Sequence, residues 1–235
     1  MQRFYGRVLP RSSIHRISDF DGDLKLDVNL GETIGVNLWQ IPQLYEPAER
    51  KLFCSAITPD CTVLDVGANI GIYTLLAAKR RAKVIAVEAD PGNATRLRHH
   101  LDLNRLDESV TVIEVAALDR IGPVSLRRNP NNSGGSAVVA GGSISAATID
   151  SLNLPPIDIC KMDIEGSELK ALNGMLETLG RSPRMKLLVE YNSLSDQAGL
   201  LAFLMEHFSH IAVAGRGELR VDQHPPSDCN LWCWN

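Results

Sequence analysis

Val63-Leu64-Asp65-Val66-Gly67-Ala68-Asn69-Ile70-Gly71-Ile72-Tyr73-Thr74-Leu75-Leu76-Ala77-Ala78, followed by Val84-Ile85-Ala86-Val87-Glu88, reads as a buried strand, a glycine turn, a helix and a second buried strand ending in an acid. Gly67 and Gly71 lack Cβ atoms, so the backbone can turn sharply and a ligand can come close to it. Glu88, at the end of the second strand, is placed to accept hydrogen bonds from both hydroxyls of a ribose. A dinucleotide fingerprint needs a middle glycine so that backbone N–H groups can reach a pyrophosphate; here that place holds Asn69. Asp65, just before the turn, repels phosphates and favours an ammonium or a sulfonium. The pattern D-x-G-x-N-x-G therefore suits S-adenosylmethionine better than NAD. An NAD-dependent oxidoreductase and a non-catalytic nucleotide-binding protein share this scaffold and are the weaker readings.

Around this stretch the strand–helix alternation continues. A helix is expected from Pro47 to about Ile57, with Glu46 suiting its positive end. Strands follow at Thr62–Val66, Val84–Glu88 and Val110–Ala116, and helices at Gly71–Lys79 and from Asp90-Pro91 to about Leu103. Ala117 to Ile149, rich in Gly, Asn and Ser, reads as hairpins and a mobile loop, with the glycine-serine stretch Ser133–Ser136 a possible cover for a site. Then come a strand at Ile157–Asp163, a helix at Ser167–Leu179, a strand at Met185–Glu190 and a helix from about Ser195 to Phe208. Ile211–Ala214 and Asn230–Trp234 are the last strand candidates. Such alternation implies an α/β, doubly wound, mostly parallel sheet. The short, alternating segment 1–44 reads as a β-rich extension, and 45–235 as the main domain.

The composition bounds the function. With 235 residues, 44% hydrophobic and 22% charged, the chain suits one α/β domain with a modest appendage. A net charge of −4 and the absence of a long basic run speak against nucleic acid as a partner. No run of about 18 apolar residues occurs to span a membrane, and Met1–Arg7 lacks a signal-peptide core. Five cysteines without zinc spacing fit a reducing cytoplasm. His99 and His100 read as surface residues of an amphipathic helix.

Further pieces complete a family pattern. They are Leu64–Gly71, Val87-Glu88-Ala89-Asp90-Pro91, Ala116-Ala117-Leu118-Asp119, Thr148-Ile149-Asp150, Ile159-Cys160-Lys161-Met162-Asp163-Ile164-Glu165-Gly166-Ser167-Glu168 and Leu188-Val189-Glu190, with Tyr45-Glu46-Pro47 upstream. Together they resemble the FkbM-type S-adenosylmethionine-dependent methyltransferases. The Lys-x-Asp-x-Glu-Gly-x-Glu element is the specific one, and Ala89, where the family usually has proline, is a departure. The resemblance implies a seven-stranded class I methyltransferase (Rossmann-like) fold. It also implies methyl transfer, commonly to a hydroxyl oxygen on a sugar or natural product; nitrogen or carboxylate acceptors are the alternative.

Ligands of such sheets bind beyond the carboxyl ends of the strands, where Asp65, Glu88, Ala116, Asp163 and Glu190 all fall. The cofactor is expected along Asp65, Gly67, Asn69 and Gly71, with the ribose on Glu88, Asp90 shaping the pocket and the small Ala116 and Ala117 leaving room for adenine. An alcohol must lose its proton as it attacks, and a carboxylate or unprotonated lysine can take it. Asp163 is the first candidate to orient the acceptor or remove its proton, with Lys161 or Glu165 as alternatives and Glu190 completing an acidic pocket. Nothing in the spacing demands a metal ion. Trp39, Tyr45 and Trp232 are either an acceptor wall or core, core being the simpler reading.

Overall fold

Strands with a continuous apolar run need cover on both faces, and the structure provides it. In the computed structural model the described residues are 13–129, 132–219 and 224–235, those at 128–140 by their backbone alone. The chain opens with β1 (Ile14–Phe20) and β2 (Leu24–Asn29), an antiparallel hairpin, then α1 (Thr33–Gln40), a 3-10 turn at Pro42–Leu44 and α2 (Pro47–Ala56). Alternation follows: β3 (Thr62–Val66), α3 (Ile72–Lys79), β4 (Lys83–Val87), α4 (Pro91–Asn104) and β5 (Val110–Ile113). A second unit holds β6 (Ala116–Ala117), β7 (Gly122–Asn129), β8 (Asn132–Ala140) and β9 (Ile144–Ala147). The main sheet then resumes with β10 (Ile159–Met162), α5 (Glu168–Asn173), α6 (Leu176–Arg181), β11 (Lys186–Tyr191), α7 (Gln197–His207), β12 (His210–Val213), β13 (Gly217–Glu218) and β14 (Cys229–Trp234).

The main sheet runs β13-β12-β14-β11-β10-β3-β4-β5. Its centre is parallel, while β14 lies antiparallel to both β11 and β12. The chain winds outward from β3 to β5, then returns to the other side of β3 with β10. The strand order thus reverses between β3 and β10, where a crevice opens at the carboxyl ends. One core packs α1 to α4 and the hairpin on one face, through Leu26, Leu38, Phe53, Leu76 and Leu97. The other packs α5 to α7 on the opposite face, through Leu64, Met162, Leu172, Leu187 and Leu204. No helix among the described residues is long and apolar enough to cross a membrane.

Several expectations are corrected. Among the described residues the sheet has eight strands rather than seven, because the two-residue β13 pairs with the edge of β12. The lead-in contains a helix: Ile34 and Leu38, one turn apart, turn the short α1 onto the core despite its poor helix formers. The third strand ends at Ile113, whose carbonyl accepts from the Glu88 N–H at 3.0 Å as the last bond between it and the segment of β4. Ala116 and Ala117 instead pair parallel with Ala146 and Ala147 in a separate four-stranded sheet. Ser133–Ser136, read as a mobile loop, lies within β8, antiparallel to β7. The helix expected over Ser167–Leu179 is two helices. The Gly174 N–H closes the first on Lys170 and Ala171, and the Asp150 carboxylate caps the second by accepting from the Glu177 and Thr178 N–H groups.

His100 is not at the surface; it is 1% exposed. Its Nδ1 faces the Ile70 carbonyl at 2.7 Å and so carries the proton, while Nε2 accepts from the Asp27 N–H at 3.0 Å. Asn104, one turn further along α4, pairs its amide with both backbone groups of Lys25 at 2.8 Å. These two side chains cover the free edge of β2 and tie the hairpin to the turn after β3. Burial holds the His100 imidazole below its usual range of 6.5. The unfolded chain therefore binds a proton there that the folded protein refuses, and this contribution is lost as pH falls below about 6.5. In paired urea titrations, the stability margin of the wild type over His100→Gln should shrink between about pH 6.5 and about pH 5. A constant margin would show that the folded protein tolerates the imidazolium.

Candidate active site

A cavity of about 280 Å³ lies in the crevice, bounded by the carboxyl ends of β3, β4, β10 and β11, by β6, by α1 and by Tyr45-Glu46. Ten of the twelve residues expected from the sequence line it: Asp65, Gly67, Asn69, Glu88, Ala116, Ala117, Lys161, Asp163, Glu165 and Glu190. Gly71 and Asp90 do not. Gly71 begins α3 with φ +97°, and a Cβ there would meet Leu97 Cδ1 at 2.3 Å, so its bareness lets α4 close on α3. Asp90 caps α4 by accepting from the Gly92 N–H at 2.7 Å.

The turn after β3 is held from two sides. At Gly67, with φ +81°, a Cβ would lie 1.9 Å from the carbonyl oxygen of Asp163, so only glycine lets β3 and β10 meet this closely. Asn69 also has positive φ, and its N–H donates to Glu88 Oε2 at 2.7 Å. Glu88 Oε1 accepts from the Asp90 N–H at 2.8 Å. Burial pushes the Glu88 carboxyl up, and these two backbone donors oppose that push. Each oxygen keeps a lone pair for a further donor. The Asn69 Oδ1 is buried and has no donor, an unmet acceptor in the wall of the cavity. Asp65, fully enclosed, accepts from Thr74 Oγ1 at 2.6 Å, and burial raises its carboxyl as well.

Across the crevice, Lys161 lies in register beside Asp65. Its Nζ donates to Asp163 Oδ2 at 2.6 Å and sits 4.9 Å from the centre of the Tyr73 ring. Burial disfavours the ammonium, but Asp163, Glu46 and Asp65 outweigh it and hold Lys161 above its ordinary range. Lys161 is therefore a fixed cation rather than the unprotonated amine that the sequence left open. Asp163, 29% exposed toward the cavity, is held below its ordinary range: burial would raise it, but Lys161 prevails. Glu190 is pushed up to about 9 by burial and by Asp163, and its Oε2 is buried without a donor. Two adjacent carboxyls that cannot both ionise share one proton, carried by Glu190. Glu165 is raised to about 7, first by burial and then by Asp163 and Glu168.

The loop bearing Glu165 is fixed by a residue behind it. Glu168, wholly buried, accepts from the Ile164 and Gly166 N–H groups at 3.0 and 3.1 Å and from Ser195 Oγ at 2.6 Å. The N–H groups of the residues on either side of Glu165 are thereby pinned, with Glu165 itself at φ +53°.

The sequence reading missed Glu46 as a cavity residue. It makes no cap to α2; with φ +44° it turns into the cavity, where Tyr73 Oη donates to its Oε2 at 2.6 Å. Its carboxyl is raised, chiefly by burial. The signal available was the run Tyr45-Glu46-Pro47 itself, an acid before proline at a helix start, which a dipole argument explains equally well. Tyr45 does line the cavity, whereas Trp232 is buried in the core and Trp39 packs against it beside His15.

Comparison with known proteins bears on the family and the fold. The profile of the methyltransferase FkbM domain matches residues 65–213. The chain is similar to the hexuronic acid methyltransferase AglP of Haloferax volcanii, 29% identical over 150 residues, 60% of this chain and 62% of that protein. The match thus spans less than two thirds of that relative's length. In fold it is similar to the precorrin-6y C5,15-methyltransferase of Geobacter metallireducens, with a TM-score of 0.51, 16% identity, and coverage of 79% of this chain and 86% of that one. It is likewise similar to TYW2 of P. horikoshii, solved in complex with MeSAdo, with a TM-score of 0.53, 15% identity, and coverage of 95% and 70%. At these identities the structural likeness is one of class I methyltransferase fold. The family profile covers well over half of the sequence, and the chain belongs to the FkbM methyltransferase domain family.

Proposed function

We propose that this chain transfers a methyl group from S-adenosylmethionine to a hydroxyl oxygen on a sugar or other small natural product. The observation that carries the reading is the joining, in one cavity, of the Asn69–Glu88 rim to the carboxyl cluster around Asp163. Family membership supports methyl transfer, and the hexuronic acid methyltransferase relative supports a sugar as the acceptor class.

In this reading the unmet Asn69 Oδ1 and the spare lone pairs of Glu88 receive donors from the cofactor, the latter from ribose hydroxyls. Gly67 gives backbone access, Asp65 favours the positive end of the donor, and Ala116 and Ala117 leave room for the base. Gly71 and Asp90 act by shaping the turn and the start of α4. The segment before Tyr45 acts as an extension whose helix, through Thr33, Ile34 and Asn37, roofs the cavity. A cavity walled by carboxylates is a poor place for a polyanion, which disfavours nucleic acid and pyrophosphate ligands.

When bound, S-adenosylmethionine supplies a methyl whose bond to positively charged sulfur breaks as the acceptor oxygen attacks. The chain's part is to align that oxygen and take its proton. Glu165, with a proton affinity near neutrality, is the best-matched base. Lys161 and Asp163, locked together, orient the acceptor, and Glu190 donates a hydrogen bond from its protonated carboxyl.

Titration calorimetry should show S-adenosylmethionine binding to the wild type. Loss of a charged acceptor costs about 2 kcal/mol, roughly thirtyfold in affinity, for Glu88→Ala, with Glu88→Gln intermediate. Equal affinities in all three proteins would remove Glu88 from the ribose site.

The rate has a pH signature. A base must be unprotonated, so kcat/KM should climb as pH rises through about 7. A hydrogen-bond donor must keep its proton, so activity should decline above about 9, where the Asp163–Glu190 pair loses its shared proton. Glu165→Gln should lower kcat by about a hundredfold or more at unchanged cofactor affinity, and abolish the lower limb. A variant with full activity and the same profile would exclude Glu165 as base.

A further inference from the structure

The cavity does not stop at Glu190. That residue is shared with a second hollow of about 400 Å³, bounded by Glu49 of α2, Asn192 and Ser193 after β11, and Asp228 and Asn230 near the start of β14. Its walls are braced: Asn230 Nδ2 donates to Glu49 Oε1 at 3.5 Å, and the Ser193 N–H donates to Asp228 Oδ1 at 3.3 Å. At the junction lies Glu190 Oε2, buried and without a partner.

The charge balance along this path is one-sided. Among the described residues lining the two hollows, Lys161 is the one cation, and it is engaged by Asp163 and covered by the Tyr73 ring. Against it stand the carboxyls of Glu46, Asp65, Glu88, Asp163 and Glu165 in the cavity and of Glu49 and Asp228 in the hollow, with Glu190 between them holding the proton it shares with Asp163. The raised proton affinities of Glu165 and Glu190 come first from burial and then from the neighbouring carboxylates, Asp163 foremost. An incoming carboxylate would meet that same field with Lys161 already engaged; Arg216, whose charge reaches Cys229 in the lining of the hollow, is set there against Asp228 and Glu49. Hydroxyls meet the opposite situation, since each can donate to a carboxylate or to an Asn carbonyl oxygen.

Resting on the methyl-transfer reading above, we propose that the acceptor is a polyhydroxylated molecule bearing no carboxylate or phosphate. Its non-reacting part lies in the hollow beyond Glu190, with hydroxyls donating to Glu49 and Asp228. The chain thus selects a neutral sugar over a uronic acid, by repulsion as much as by attraction.

The test uses the full chain and matched acceptor pairs: methyl glycosides of glucose, galactose and mannose, each beside the uronic acid formed by oxidation at its sixth carbon. S-adenosylmethionine binding is measured first by calorimetry, then methylated product by mass spectrometry. At least one neutral glycoside should be used with kcat/KM ten times or more that of its uronate partner. The gap should narrow as salt is added, because screening weakens the repulsion. The double variant Glu49→Gln, Asp228→Asn should narrow it at low salt, with cofactor affinity retained. Cofactor binding with uronates used as well as, or better than, neutral sugars overturns the proposal. So does cofactor binding with no neutral sugar methylated, or a preference insensitive to salt. Absence of cofactor binding sinks instead the methyl-transfer reading on which the proposal stands.

Discussion

A lysine ammonium buried at the end of a central parallel strand has to be paired, and the pairing of Lys161 with Asp163 organises the crevice. Removing one partner of such a pair costs about 3–5 kcal/mol, because the other is left charged and enclosed. The consequences spread outward. Asp163 stays ionised, and burial together with its charge keeps a proton on Glu190 beside it and lifts Glu165 toward neutrality. On the backbone side, the Asp163 carbonyl oxygen presses so closely on position 67 that no residue with a Cβ fits there. One ion pair at the switch in strand order thus ties the glycine turn to the carboxyl cluster.

Three of the non-glycine residues that line the cavity, Glu46, Asn69 and Glu165, hold left-handed backbone. Each such residue costs on the order of 1 kcal/mol, and that cost persists only where surrounding contacts over-determine it. The restraints are on view. Tyr73 holds Glu46, Glu88 holds the Asn69 N–H, and Glu168 pins the N–H groups of Ile164 and Gly166 on either side of Glu165. Strain is concentrated where side chains are aimed at the cavity, and is borne by buried hydrogen bonds set behind it.

What the sequence made legible follows from local physics. The β3–turn–α3–β4 unit could be read because two-sided burial leaves an unbroken apolar run and the turn demands glycine. The convergence of Asp65, Glu88, Asp163 and Glu190 followed from their places at strand ends. What could not be read depends on contacts distant in sequence. The burial of His100 needs the hairpin edge at Asp27, seventy-three residues earlier. The transfer of Ala116 to a second sheet needs β9, thirty residues later. The charge of Lys161 depends, besides its near neighbour Asp163, on carboxylates from two other segments, at Glu46 and Asp65. Glu46 was explained by the dipole of the helix it precedes, a local reason that its actual backbone conformation overrides.

The limits of the family match divide the crevice in an instructive way. Residues 65–213 hold the glycine turn, Glu88, Lys161, Asp163, Glu165 and Glu190. Outside them lie Thr33, Ile34, Asn37, Tyr45 and Glu46 over the cavity, and Glu49, Asp228 and Asn230 around the hollow beyond Glu190. The portion proposed to hold the methyl donor therefore belongs to the shared fold, which must keep one geometry to place one reacting carbon. Much of the surface facing the proposed acceptor comes from segments that the fold does not constrain in this way. An α/β sheet of this kind can keep its strand ends constant while its appended walls change in shape and charge. On the acceptor reading proposed above, selectivity would reside in α1, α2 and the segment leading into β14, and a change of sign at Glu49 or Asp228 would alter which acceptor is admitted while leaving the Lys161–Asp163 pair untouched.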